Sequence, residues 1–263
     1  MGEVIVITSG KGGVGKTTTT ANLGVALALL SKRVILIDAD IGLRNLDVVL
    51  GLENQIIYDI IDVLGDSCSL SQALIKDKRY PNLYLLPASQ TASKDDIRPE
   101  QMQELYTKLK TEYDYVLIDC PAGIEQGFKN AICGADRALV VATPDTSSVR
   151  DADRIIRLLA DNSLKKSELI LNRMRIDLVQ KGAMMSLEDI AEILPIDMIG
   201  ILPDDPDILI AANRGEPVAS NLHSIPGAAY RDIAQRIIGV NVPFMDLNKK
   251  AGLFGKLRNV FGK

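Results

Sequence analysis

One octapeptide constrains this chain more than any other feature. Gly10-Lys11-Gly12-Gly13-Val14-Gly15-Lys16-Thr17 fits the pattern GxxxxGK[ST], and it stands directly between an apolar run at 4–7 and a helical pattern at 17–30. Glycine adopts backbone angles closed to other residues, so successive N–H groups can turn towards one anion. The helix that follows adds its positive end. In this pattern Lys16 reaches the β- and γ-phosphates of a nucleotide, and the Thr17 hydroxyl binds Mg²⁺. The segment Gly10 to Thr17, with Thr18 carrying it into the helix, is therefore the expected cradle of a Mg²⁺-bound nucleotide, ATP before others.

Short apolar runs recur at 34–37, 83–86, 115–118, 138–142, 169–171 and 198–202, with helical patterns at 99–111, 149–160, 186–194 and 227–238. The runs are continuous rather than alternating, the mark of strands buried on both faces. Strands alternating with helices indicate an α/β fold: a single-domain P-loop NTPase with a mostly parallel central sheet covered by helices on both faces. Aromatic residues are only 4% of the chain and Trp is absent, so Ile, Leu, Val and Ala must fill the core.

Ligands of such sheets bind at the C-terminal ends of the strands. Those ends read Thr8-Ser9-Gly10, Asp38-Ala39-Asp40, Asp119-Cys120-Pro121, Thr143-Pro144, Asn172-Arg173 and Pro203-Asp204-Asp205. Asp119 suits a carboxylate that holds Mg²⁺ through water. Asp38 and Asp40 occupy alternate positions and face one crevice, where one of them can orient an attacking water.

Cys68, Cys120 and Cys133 form no CxxC pair and His223 is the single histidine, so no zinc site is expected. Scattered thiols suit a reducing compartment. Cys120 should lie near the site, Cys133 in a core helix and His223 on the surface. A strand pattern from Glu3 leaves no secretory leader expected, and no apolar run of 18 residues predicts a membrane span. Gly2 reads as the residue before the first strand, because Val6 stands where a myristoylation motif needs Ser or Thr.

The charge is unevenly placed. Residues 249–263 hold Lys249, Lys250, Lys256, Arg258 and Lys263 and no acid; 25 basic and 34 acidic residues remain elsewhere, a net −9. Such a body does not suggest nucleic acid. The chain divides into a body at 1–240, a connector at 241–248 and an amphipathic element at 249–263. On a helix, Leu253, Phe254, Leu257, Val260 and Phe261 fall within an arc of about 120°. An apolar stripe with basic flanks suits a helix lying on anionic lipid. One such element binds weakly. Five apolar side chains give at most roughly 1.5–3 kcal/mol each when fully buried, while ordering costs roughly 1 kcal/mol per residue or more. Two elements on one dimer gain by effective concentration.

The early lysine, Lys11, gives the sequence a family likeness. Lys11-Gly12-Gly13-Val14-Gly15-Lys16-Thr17 resembles the deviant Walker A motif of the MinD/ParA family of ATPases. The segments Asp38-Ala39-Asp40-Ile41-Gly42-Leu43-Arg44-Asn45-Leu46-Asp47, Gln72-Ala73-Leu74-Ile75-Lys76-Asp77 and Leu86-Pro87-Ala88-Ser89-Gln90-Thr91 resemble its septum-placement branch. So do Pro121-Ala122-Gly123-Ile124-Glu125 and Ser147-Ser148-Val149-Arg150-Asp151-Ala152-Asp153-Arg154, and the likeness runs from Glu3 to the C-terminus. The resemblance implies an ATP-dependent homodimer in which Lys11 reaches the partner's phosphates, Asp40 positions water and Asp119 supports Mg²⁺. It places the adenine at Asn172, flanked by Arg173, Pro203 and Asp205. It further implies a cytoplasmic protein, peripheral on the inner face of the cell membrane or an equivalent plastid compartment. Its partners would be the division inhibitor MinC, acting against FtsZ assembly, and MinE or another topological factor. The alternatives within the family are a ParA-type DNA-partition ATPase, a flagellar-placement ATPase and an iron–sulfur electron-transfer ATPase. Cys133 lies too far after Asp119 for the last.

Overall fold

Val4 and Val6 join the core on one side of the first strand, Ile5 and Ile7 the core on the other, and all four are fully buried. Residues of a strand alternate between faces, so a strand covered on both sides must be apolar throughout. The same logic makes the other runs into strands. The computed structural model describes residues 1–93, 96–164 and 166–245. The predicted amphipathic element at 249–263 lies outside the described residues.

Among the described residues eight strands form one sheet: β1 Glu3–Thr8, β2 Val34–Asp38, β3 Ile75–Lys76, β4 Leu83–Leu86, β5 Tyr115–Asp119, β6 Arg137–Ala142, β7 Ser167–Met174 and β8 Asp197–Pro203. Their order is β3-β4-β2-β5-β1-β6-β7-β8. Neighbours are parallel except β3, which runs antiparallel to β4 at one edge. β3 was not expected, because two residues make no run.

One face carries α1 Lys16–Leu29, α2 Leu46–Leu50 and the last helix, Ile225–Ile237. Leu23, Leu27, Leu46, Tyr230 and Ile233 pack there on Ile5, Ile7, Leu36, Leu117 and Leu139. The other face carries α3 Ile60–Leu64, α4 Leu70–Ala73, α5 Pro99–Leu109, α6 Gln126–Ile132, α7 Thr146–Asp161, α8 Ile176–Gln180 and α9 Leu187–Ile193. α10 Pro206–Asn213 follows β8 and has no buried residue, and the last helix is α11. The aliphatic core therefore has two slabs with the sheet between them. Among the described residues, no helix is long and apolar enough to cross a membrane.

Two long helices begin earlier than their apolar periodicity does. α7 starts at Thr146 because the Asp145 side chain accepts from Ser148 N, and α11 starts at Ile225 because Ser224 accepts from Gly227 N. Caps of this kind satisfy N–H groups that the first turn leaves unpaired. α2, α3, α4, α6, α8 and α10 are not marked by periodicity, because four to eight residues show little of a 3.6-residue period; among the short helices α9 alone matches an expected pattern, at 186–194. Cys133 is not within a helix: it caps the end of α6, half-buried, with its thiol 3.0 Å from the carbonyl oxygens of Pro99 and Asn130. Gly2 is more than a leader to β1. A Cβ there would lie 1.9 Å from the Tyr113 carbonyl oxygen.

Arg79 ties three segments together behind the sheet edge. Its guanidinium meets the Asp77 carboxylate at 2.8 Å, the Gly215 carbonyl at 2.7 Å and the Leu50 carbonyl. There Gly215, at φ +65°, passes so close to Gly51 that a Cβ would lie 2.5 Å from the Gly51 Cα. Gly215→Ala combines a backbone clash with a left-handed angle, and should destabilise the fold by about 1–3 kcal/mol. Urea unfolding followed by circular dichroism measures this; an unchanged midpoint would contradict it.

Candidate functional site

The phosphate loop leaves β1 at Ser9 and enters α1 at Lys16. Gly13 and Gly15 take φ of +76° and +102°, angles that a side chain disfavours. Gly15 is the N-cap of α1, and no side chain caps that end. The first N–H groups of the helix are thus left for a ligand. Gly10 fits because it has no Cβ; one would lie 2.3 Å from the Asp151 carbonyl oxygen of α7.

The two lysines of the loop take opposite directions. Lys16 is 8% exposed, and its ammonium donates to Ser9 Oγ at 3.1 Å. Lys11 stands on the rim with its side chain 46% exposed, donating to Ser147 Oγ at 2.9 Å and lying 3.6 Å from Asp145. Burial alone would raise the Asp145 carboxyl, but hydrogen bonds from Thr143, Ser148 N and Ser147, with Lys11 nearby, hold it at about 2.

Two buried acids end adjacent strands. Asp38 of β2 pairs in register with Asp119 of β5, and they are 1% and 2% exposed. Burial pushes Asp119 up to about 8, and Asp38 pushes the same way against the pull of Thr17 and Lys16. Burial raises Asp38 to about 6 although three backbone N–H groups pull it down. Asp119 also accepts from Thr20 Oγ1 at 3.4 Å. This donor set fits Mg²⁺. A divalent ion beside Thr17 would relieve two acids that repel each other in a dry site. Among the described residues no cluster of three or more His, Cys, Asp or Glu could hold a metal by itself. An ion here therefore needs phosphate oxygens and water as further ligands.

Asp38 and Asp40 separate into different roles. Asp38 accepts from the N–H groups of Asp40 at 3.0 Å and of Asn45 and Leu46 at 3.1 Å. It anchors segment 40–46 and starts α2, which leaves Asp40 as the acid carried on that segment. Arg44 adds an ion pair to Asp47 at 2.8 Å, with Asp47 almost fully buried.

Asn172, Arg173, Pro203 and Asp205, distant in sequence, line one cavity of about 400 Å³ with Gly15 and Thr18. β7 was expected to stop at Leu171, where the apolar run ends. It continues to Met174 through an irregularity between Leu171 and Met174, with Arg173 at φ +60°. Such bulges re-aim side chains and sit at functional sites. Asn172 donates to the Val14 carbonyl at 2.7 Å and accepts from Arg173 N at 2.9 Å. Its amide retains a second N–H and a second lone pair, the set that matches the donor and acceptor of an adenine edge. Cys120 is buried beside Asp119, its thiol pushed up by burial to about 12, and His223 is exposed, both as expected. Sequence reasoning did not find Thr143, Asp145 and Ser147 as the neighbours of Lys11. Only the junction of β6 and α7 brings them there. A slightly larger cavity, about 460 Å³, lies between Lys129, Cys133 and Ser163, away from the phosphate loop.

A family model described as an AAA domain matches residues 2–172. The chain is 54% identical over 265 residues to the septum site-determining protein MinD of Bacillus subtilis, covering 100% of this chain and 99% of that one. Its fold matches the MinD of the MinC:MinD cell division protein complex of Aquifex aeolicus with a TM-score of 0.84 and 48% identity, over 92% of this chain and 98% of that one. It also matches the septum site-determining protein MinD complexed with Mg-ADP from Pyrococcus horikoshii, with a TM-score of 0.81 and 29% identity, over 90% of this chain and 96% of that one.

The buried acids set a measurable pH dependence. Asp119 titrates near 3.8 when unfolded and about 8 when folded, so the native state holds the extra proton between those values. Its contribution to stability is present below about pH 4 and is lost as pH rises through about 8. Without nucleotide or Mg²⁺, the urea midpoint should fall between pH 5 and pH 8. Asp119→Asn should flatten that fall and be the more stable form at pH 8. A variant with the same slope as the parent would refute the assignment.

Proposed function

The chain belongs to the MinD family of septum site-determining proteins, and on that premise we propose a membrane-cycling, Mg²⁺-dependent ATPase that regulates where the division septum forms. In this reading the amides of Gly10 to Thr17 hold the phosphates, with Lys16 inside the loop. Thr17 ligates Mg²⁺ directly and Asp119 does so through water. The ion, when bound, offsets charge on the β- and γ-oxygens. Asp40 orients the attacking water, and Asn172 reads the base between Arg173, Pro203 and Asp205.

The observation that carries the reading is the split between the two lysines. Lys16 faces inward; Lys11, on the rim, can reach a second subunit's phosphates. A cation supplied across an interface stabilises charge on the transferring phosphoryl group, as an arginine finger does. ATP would therefore bring two copies together, and two copies present two elements at 249–263 to anionic lipid. MinC is the inhibitor recruited by that dimer against FtsZ, since the Aquifex relative is a MinC:MinD complex, and MinE or another topological factor would set the timing. The charged start of α7 remains a candidate partner face, although Asp153 is held by Arg157 one turn away at 2.8 Å. Full-length identity to a septum site-determining relative favours this reading over DNA partition, and a body of net −9 gives DNA no electrostatic support.

Two measurements test it. Sedimentation with anionic liposomes should pull down the full chain with ATP far more than with ADP, and removing 249–263 should abolish the difference. Equal binding in both nucleotides would refute the cycle. Lys11→Ala should lose ATP-dependent dimerisation and slow turnover by at least about tenfold; wild-type dimerisation and rate in that variant would remove Lys11 from the mechanism.

A further inference from the structure

The described residues that follow α11, Gly239 to Met245, are held to the body. Gly239, at φ +86°, ends the helix, and Val240 N donates back to the Gln235 carbonyl at 2.9 Å. The chain then turns under Arg236. From the last turn of α11, Arg236 donates through Nε to the Val242 carbonyl and through Nη2 to the Pro243 carbonyl, each at 2.9 Å. Nη1 donates to the Ile199 carbonyl of β8, also at 2.9 Å, and the guanidinium carbon lies 4.3 Å from the centre of the Phe244 ring. Met245 packs on the core shared by α1 and α11. Charge-assisted hydrogen bonds are stronger than neutral ones, and only a planar fork can make three of them in these directions. The anchor joins three parts of the fold: helix, sheet edge and outgoing chain.

We propose that Arg236 is a positioning residue for membrane attachment. It fixes the point where the C-terminal segment leaves the body, so that the two segments of an ATP-held dimer act together. This rests on the membrane-cycling reading above. With the anchor made, residues 246–248 alone separate Met245 from the basic, apolar element at 249–263. Without it, the spacer before that element, counted along the sequence, lengthens from three residues to about ten, beginning near Gly239. Effective concentration falls with about the −3/2 power of length, so the second segment would lose about sixfold.

The test uses the full chain and vesicles of phosphatidylglycerol with phosphatidylethanolamine, titrated under ATP and under ADP. Arg236→Ala should need about sixfold more lipid for half-binding with ATP. Binding with ADP, where single segments act, and ATP turnover without lipid should match the parent. Arg236→Lys keeps the charge but lacks the fork, and should behave as Arg236→Ala. Inserting seven Gly/Ser residues after Met245 lengthens the spacer and leaves the Arg236 contacts in place, and should reproduce the loss even where an Arg236 variant does not fold. The proposal is overturned if the insertion binds like the parent, if Arg236→Ala loses as much with ADP as with ATP, or if Arg236→Lys restores full binding. A parent chain that binds equally with ATP and ADP would instead overturn the membrane-cycling reading.

Discussion

Burial of the sheet on both faces dictates where chemistry can sit. Every residue of β2 and β6 is buried, and the alternation of Val4, Ile5, Val6 and Ile7 feeds two separate slabs. Such strands have no room for a solvated polar group along their length. Polar side chains collect where the strands end, and parallel pairing brings those ends to one side. Asp38 and Asp119 are neighbours for that reason alone: their strands are adjacent, and their register puts the last residue of each side by side.

The site then works against its own stability in small ways. Two carboxylates face each other in a dry place, Arg173 takes a left-handed backbone angle, and the start of α1 lacks a side-chain cap. Each would be a flaw in a protein selected only to fold. A phosphate chain with its counter-ion would relieve the paired acids and occupy the uncapped start of α1. The surrounding fold is correspondingly tight. Gly10 lies against α7, Gly15 against Asn172 and Gly24 against Leu36, at distances that leave no space for a methyl group.

Much of this was legible in the sequence, and the rest was hidden for identifiable reasons. The seven apolar runs appear as strands because each is a largely buried run of three or more apolar residues, whereas Ile75–Lys76 is two residues with one exposed. The loop from Gly10 to Thr17 could be read in one dimension because its chemistry is local. The cavity at Asn172, Arg173, Pro203 and Asp205 joins the ends of β7 and β8, so the residues alone gave no contact; the family resemblance supplied the grouping. The spacing of Asp38 and Asp40 left open which of them serves the water; the sequence could not show that the Asp38 oxygens are held by backbone N–H groups of residues 40, 45 and 46. The contacts of Lys11 with Ser147 were beyond reach, because 136 residues separate them and no pattern links the two.

The rims of the sheet carry a consequence for life in a crowd. Exposed strand edges offer unpaired N–H and C=O groups that can stitch one chain to the next. Here one rim is β3, two residues long and running against its neighbour; at the other, the Ile199 carbonyl of β8 is already taken by Arg236. Among the described residues both rims are thus interrupted at these points. Copies of the chain that meet edge to edge there find less ladder to join, which works against stitching one sheet onto the next.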